Sequence, residues 1–147
     1  MNVDAAKIML VEDDSQDLEL TLRALGKANL ADQIQVARDG VEALDFIFGE
    51  GSHAGRDVGT IPRLILLDIK LPKVDGMAVL EPLKADSRTR SIPVVMLTSS
   101  SEVKDLTQCY RLGVNSYIVK PVNMNAFVKA VQDLGMYWLL LNEAPEE

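Results

Sequence analysis

Five short apolar runs, separated by stretches of helical periodicity, set the rhythm of this chain. Residues 6–12 (AKIMLVE), 33–38 (QIQVAR), 63–68 (RLILLD), 92–99 (IPVVMLTS) and 116–121 (SYIVKP) read as strands. Most are apolar without alternation, the pattern of strands covered on both faces. Between them, 15–29 repeats Leu18, Leu22 and Leu25 at helical spacing, with Asp14 or Ser15 available as its cap. Residues 41–48 carry a broad apolar stripe of Val41, Ala43, Leu44, Ile47 and Phe48. Residues 76–86 read as a third helix, which Pro82 should kink or delay. Residues 102–113 read as a fourth, with Gly113 as its C′ residue, and 123–143 as a long final one. Residues 49–62 break all periodicity with glycines and a proline, and predict a surface loop.

The order βαβαβαβαβα with apolar strands predicts an α/β fold: a five-stranded, doubly wound parallel sheet with helices on both faces. In such sheets ligands bind outside the carboxyl ends of the strands. Those ends carry Glu12 and Asp13 after strand one, Asp68 on strand three, Thr98 on strand four and Lys120 on strand five. Asp68 is the position that burial makes hardest to explain without chemistry. It closes the run LILLD, and a carboxylate withdrawn from water needs a counter-charge.

Composition then narrows the options. The 147 residues suffice for one domain with a core, and 48% are apolar against 25% charged. A net charge of −7 argues against nucleic acid as a partner. Cys109 stands alone and reads as packing, and His53 reads as a loop residue. No signal peptide or bilayer-length apolar run is visible, so a cytoplasmic protein without membrane association is expected. Three carboxylates at two neighbouring strand ends raise one another's pKa unless a cation neutralises them. A hard divalent ion such as Mg²⁺ (or Mn²⁺) suits oxygen donors of this kind. With Lys120 and the Thr98 hydroxyl opposite, the set is equipment for phosphoryl transfer onto a carboxylate.

LVEDD (10–14), LILLDIKLPKVDG (64–76), VVMLTSS (94–100) and YIVKP (117–121), each at a strand end, together resemble the receiver domain of two-component response regulators. The resemblance spans about residues 6–135 and implies a flavodoxin-like, CheY-like sheet of order 2-1-3-4-5, with 136–147 as a C-terminal helix extension and tail. It implies that Asp68 is the phospho-acceptor. Asp13 and Asp68 would ligate Mg²⁺, with Glu12 acting through water and the Lys70 carbonyl completing the set. It further implies that Thr98 and Lys120 meet the phosphoryl group, that Tyr117 is the aromatic switch partner of Thr98, and that the Lys120–Pro121 bond is cis. Lys70 itself stands where relatives carry neutral side chains, and a second ammonium there would alter phosphate lifetime.

MYWLLL (136–141) is apolar all round, which predicts a homodimer interface including Tyr137, Trp138, Leu140 and Leu141. That apolar end and RDGVEALDFIFGEG (38–51) resemble the single-domain regulators that partner phytochrome-type histidine kinases, so a sensor histidine kinase is the expected partner. The competing readings are a degenerate receiver scaffold, a HAD-like phosphatase and a flavodoxin. The phosphatase normally needs a second acid where Lys70 stands, and the flavodoxin a phosphate loop where VEDD would repel one.

Overall fold

The computed structural model describes residues 7–28, 30, 33–51, 54–55 and 61–135. Five strands, β1 (Ile8–Val11), β2 (Ile34–Ala37), β3 (Leu64–Asp68), β4 (Val94–Thr98) and β5 (Ser116–Val119), form one all-parallel sheet. Its order, β2-β1-β3-β4-β5, is the one expected. The helices are α1 (Ser15–Lys27), α2 (Gly40–Phe48), α3 (Gly76–Ala85), α4 (Leu106–Arg111) and α5 (Met124–Asp133).

The three inner strands β1, β3 and β4 are buried at every residue, whereas the edge strands β2 and β5 are only partly covered. Strand alternation divides the core in two. Met9, Val11, Ile65, Leu67, Val94 and Met96 meet α2, α3 and α4 on one face. Ile8, Leu10, Leu64, Leu66, Val95 and Leu97 meet α1 and α5 on the other. The helical stripes follow, with Leu25 of α1 and Phe127 and Val131 of α5 fully buried.

Three aspartates start three helices. Asp14 accepts from the N–H of Asp17, Asp39 from Glu42 and Asp75 from Ala78, each satisfying an orphan N–H of a first turn. Asp14, not Ser15, is therefore the α1 cap. Asp39 and Asp75 are each followed by a glycine packed against the loop between β3 and α3. A Cβ on Gly76 would lie 2.3 Å from the carbonyl oxygen of Asp68, and one on Gly40 would lie 2.1 Å from that of Val74.

Several local expectations need correction. Pro82 neither delays α3 nor ends it: the helix starts at Gly76 and runs through to Ala85. Burial of Val79, Leu80 and Leu83, at ~1.5–3 kcal/mol each, outweighs the roughly 3 kcal/mol that an interior proline costs. Val41 is exposed, and Phe46 takes its place in the buried stripe of α2. The fourth helix begins as a 3-10 segment, Ser100–Asp105, before α4 proper. The final helix stops at Asp133, with Leu134 as C-cap and Gly135 at φ 71°, in place of one continuous helix to 143. His53, Tyr137, Trp138, Leu140 and Leu141 lie outside the described residues. No helix among the described residues is long and apolar enough to cross a membrane.

Candidate functional site

Strand register builds the site. Val11 pairs with Leu67 across β1 and β3, so Glu12, the next residue, stands beside Asp68. Asp68 in turn pairs with Leu97 of β4, and Thr98 pairs with Val119 of β5, which leads directly into Lys120. The Lys120 N–H donates to the Thr98 carbonyl at 2.8 Å, tying these last two strand ends together. Lys120–Pro121 is a cis peptide bond.

Glu12 and Thr98 are fully buried and Asp68 is 2% exposed, while Asp13 stands in solvent. Oxygens of Glu12, Asp13 and Asp68 lie within 4.8 Å of one another. Lys120 faces this group: its Nζ is 2.9 Å from Asp68 Oδ2, 3.0 Å from Asp17 Oδ2 and 3.1 Å from Glu12 Oε1. The other oxygen of Asp68, Oδ1, accepts from the Lys70 N–H at 3.2 Å. The Lys70 side chain itself is exposed.

One ammonium does not balance these acids. Burial, then hydrogen bonding and repulsion from Asp68, push the Glu12 carboxyl up to about 8, against the opposing pull of Lys120. Burial also works against the Lys120 cation. The hydrogen bond and charge of Asp68, then Glu12 and Asp17, outweigh it and hold the ammonium above the ordinary lysine range.

The donor set fits a small divalent cation. Glu12 Oε1 is buried without a hydrogen bond, although the Lys120 ammonium is near enough for charge attraction. A metal there would offset the excess negative charge, and a water it carried could donate to the orphaned Glu12 oxygen.

Thr98 donates its hydroxyl to the Ser99 carbonyl at 3.0 Å. Tyr117, on β5, is 40% exposed and so points outward in this state. Four strand ends thus bring one buried acid pair, an ammonium and a hydroxyl to a single rim.

The family model described as "response regulator receiver domain" matches residues 8–132. The chain belongs to the response regulator receiver family. This receiver is 57% identical to the bacteriophytochrome response regulator AtBRR, over 92% of this chain and 96% of that one, with a TM-score of 0.81. It is 37% identical to the phosphorylated cyanobacterial phytochrome response regulator RcpA, over 96% of this chain and 99% of that one, with a TM-score of 0.73. Rcp1 of Synechocystis sp. is 36% identical over 132 residues, 90% of this chain and 88% of that protein. Its Mn²⁺-bound form superposes with a TM-score of 0.72, at 35% identity, covering 95% of this chain and 98% of that one.

Two residues around the receiver's acidic rim escaped the sequence reading. Asp17, on the first turn of α1, contributes the third carboxylate to Lys120. Its signal was the Asp14-x-x-Asp17 spacing, which reads equally well as a helix cap followed by a solvated acid. Arg38 donates from Nη2 to the Asp13 carbonyl at 2.9 Å and to Ser15 Oγ at 3.2 Å, pinning the loop that carries Asp13. Nothing in its position after β2 announced that reach across to β1.

Proposed function

We propose that this receiver accepts a phosphoryl group on Asp68 from a sensor histidine kinase, of the phytochrome type, and changes its surface in response. The observation that carries this reading is Asp68 itself. It is almost fully buried at a strand end, shares Lys120 with Glu12, and has Glu12 and Asp13 oxygens close by. Glu12, Asp13, Asp68 and the Lys70 carbonyl would hold Mg²⁺ or Mn²⁺, with Glu12 acting through water. Once bound, the ion supplies neutralising charge for the oxygens of a transferring phosphoryl group.

The protein's own residues do the rest. An Asp68 carboxylate oxygen attacks phosphorus, forming a P–O bond as the P–N bond to the kinase histidine breaks; the imidazole leaves with that electron pair. Lys120 offsets the charge of the product and the Thr98 hydroxyl donates to it. The new group brings nearly two negative charges and three acceptor oxygens. Thr98 then exchanges its bond to the Ser99 carbonyl for a phosphoryl oxygen, and Tyr117 turns inward to the space vacated. Because these contacts differ between the two states, phosphorylation shifts the population between them.

The partner assignment is supported by the similarity to AtBRR, RcpA and Rcp1, the metal by the Mn²⁺-bound form of Rcp1, and the phosphoryl acceptance by the phosphorylated state of RcpA. We further infer a cytoplasmic homodimer that pairs through Tyr137, Trp138, Leu140 and Leu141, without nucleic acid or membrane as partners. Incubation with acetyl phosphate and Mg²⁺, followed by intact-mass measurement, tests the central reading. One added phosphoryl group is expected, absent in Asp68→Asn and after chelation. Wild-type protein that gains no adduct would sink the proposal in favour of a scaffold.

A further inference from the structure

Lys120 has three N–H hydrogens, and it donates to three carboxylates: Asp68 Oδ2 at 2.9 Å, Asp17 Oδ2 at 3.0 Å and Glu12 Oε2 at 3.3 Å. A phosphoryl group that takes up Lys120 must therefore displace one of them. The three are not equally easy to displace. The Glu12 side chain is fully buried and that of Asp68 is 3% exposed, so neither can exchange the ammonium for water. The Asp17 side chain is 33% exposed and sits on the first turn of α1, where solvent can replace Lys120 at small cost. Asp17 is the carboxylate that yields.

Charge counting points the same way. Glu12, Asp13, Asp17 and Asp68, when ionised, carry four negative charges against one on Lys120 and two on a divalent cation. The site is already one charge in excess before a phosphoryl group adds nearly two more. Asp17 is the member of the four that is neither the phospho-acceptor nor among the metal donors assigned above, so it draws on Lys120 without serving the transfer.

Resting on the phospho-acceptor reading, we propose that Asp17 is a positioning residue that holds Lys120 in the unphosphorylated state and competes with the phosphoryl group for it. Helix α1 thereby sets how tightly the site holds a phosphoryl group. When Lys120 turns to that group, the ion pair joining the first turn of α1 to the end of β5 breaks, so α1 is released along with the Thr98–Tyr117 side.

Beryllofluoride, which bonds to a carboxylate oxygen as a phosphoryl mimic, gives an equilibrium readout by fluorine NMR in the presence of Mg²⁺. Asp17→Asn keeps the backbone N–H that Asp14 caps and removes only the charge. It is expected to bind beryllofluoride about two- to fivefold tighter, the range set by a part-exposed ion pair. Its Mg²⁺ affinity should stay within about twofold of wild type. Asp17→Glu should restore most of the wild-type affinity, and in a Lys120→Met background Asp17→Asn should have no effect. Unchanged beryllofluoride affinity in Asp17→Asn would overturn the proposal, as would an equal gain in the Lys120→Met background or a parallel change in Mg²⁺ affinity. Wild-type protein that binds no beryllofluoride at all would instead count against the phospho-acceptor reading.

Discussion

At Glu12 two demands meet: strand β1 puts the side chain out of water, and its neighbour Asp68 is also an acid. Raising the folded-state value to about 8 from the ordinary 4.5 means the folded protein keeps a proton there that the unfolded chain has lost. Stability gained from that proton is fully present below about pH 4.5 and disappears as pH rises through about 8. Metal-free protein is therefore expected to lose urea resistance steadily from pH 5 to pH 8.5. Glu12→Gln should flatten this trend, and Mg²⁺ should offset it in the wild type. A chelated wild-type protein whose unfolding midpoint rises over the same range would contradict this account of Glu12. Asp68, Thr98 and Lys120 could be picked out from the sequence because a parallel sheet brings all its strand ends to one edge. Asp17 and Arg38 could not, since a helix turn or an edge-strand residue reaches the rim only through the particular tilt and packing of its element.

Among the elements, the segment from Ile69 to Asp75 shows how tightly the site is tied to its surroundings. Gly76 N–H donates back to the Ile69 carbonyl at 3.1 Å, so α3 begins directly against the end of β3. Gly76→Ala would push a methyl into the Asp68 carbonyl and the Ile69 Cα. Overpacking of this kind costs about 1–3 kcal/mol, and here the backbone that must move carries Asp68. Lower thermal stability and slower phosphorylation by acetyl phosphate are expected together. Normal phosphorylation in a destabilised Gly76→Ala protein would show that the acceptor tolerates the shift. Asp39 and Asp75 are of the residue type that caps helices, but the close approach that demands glycine after them is a property of the packed loop. The 3-10 segment escaped for a related reason. Glu102 accepts from the Ser99 N–H while its own N–H donates to the Ser99 carbonyl, a local arrangement that competes with a regular helix and that side-chain periodicity does not register.

For the whole molecule, the ending of α5 bears on assembly. Gly135 in the left-handed region closes the helix after Leu134, and MYWLLL follows it outside the described residues. If this segment pairs two copies, Trp138→Asp should be monomeric by gel filtration and small-angle scattering, with its unfolding midpoint little changed at low concentration. A Trp138→Asp protein that dimerises like the wild type would remove the segment from the interface. The unbroken apolar runs of β1, β3 and β4, whose side chains alternate between the two faces of the sheet, made the fold class accessible from sequence and the family resemblance supplied the strand order, whereas the proposed pairing rests on residues outside those described.

That same alternation divides the interior into two sets of side chains that meet only through the sheet's backbone. Substitutions on opposite faces share no buried partner, so their effects on stability should sum, while those on one face should couple. Descendants of this sequence are then free to redesign the α1–α5 half and the α2–α3–α4 half on separate schedules. Only the acidic rim, where both halves end, holds the two histories together.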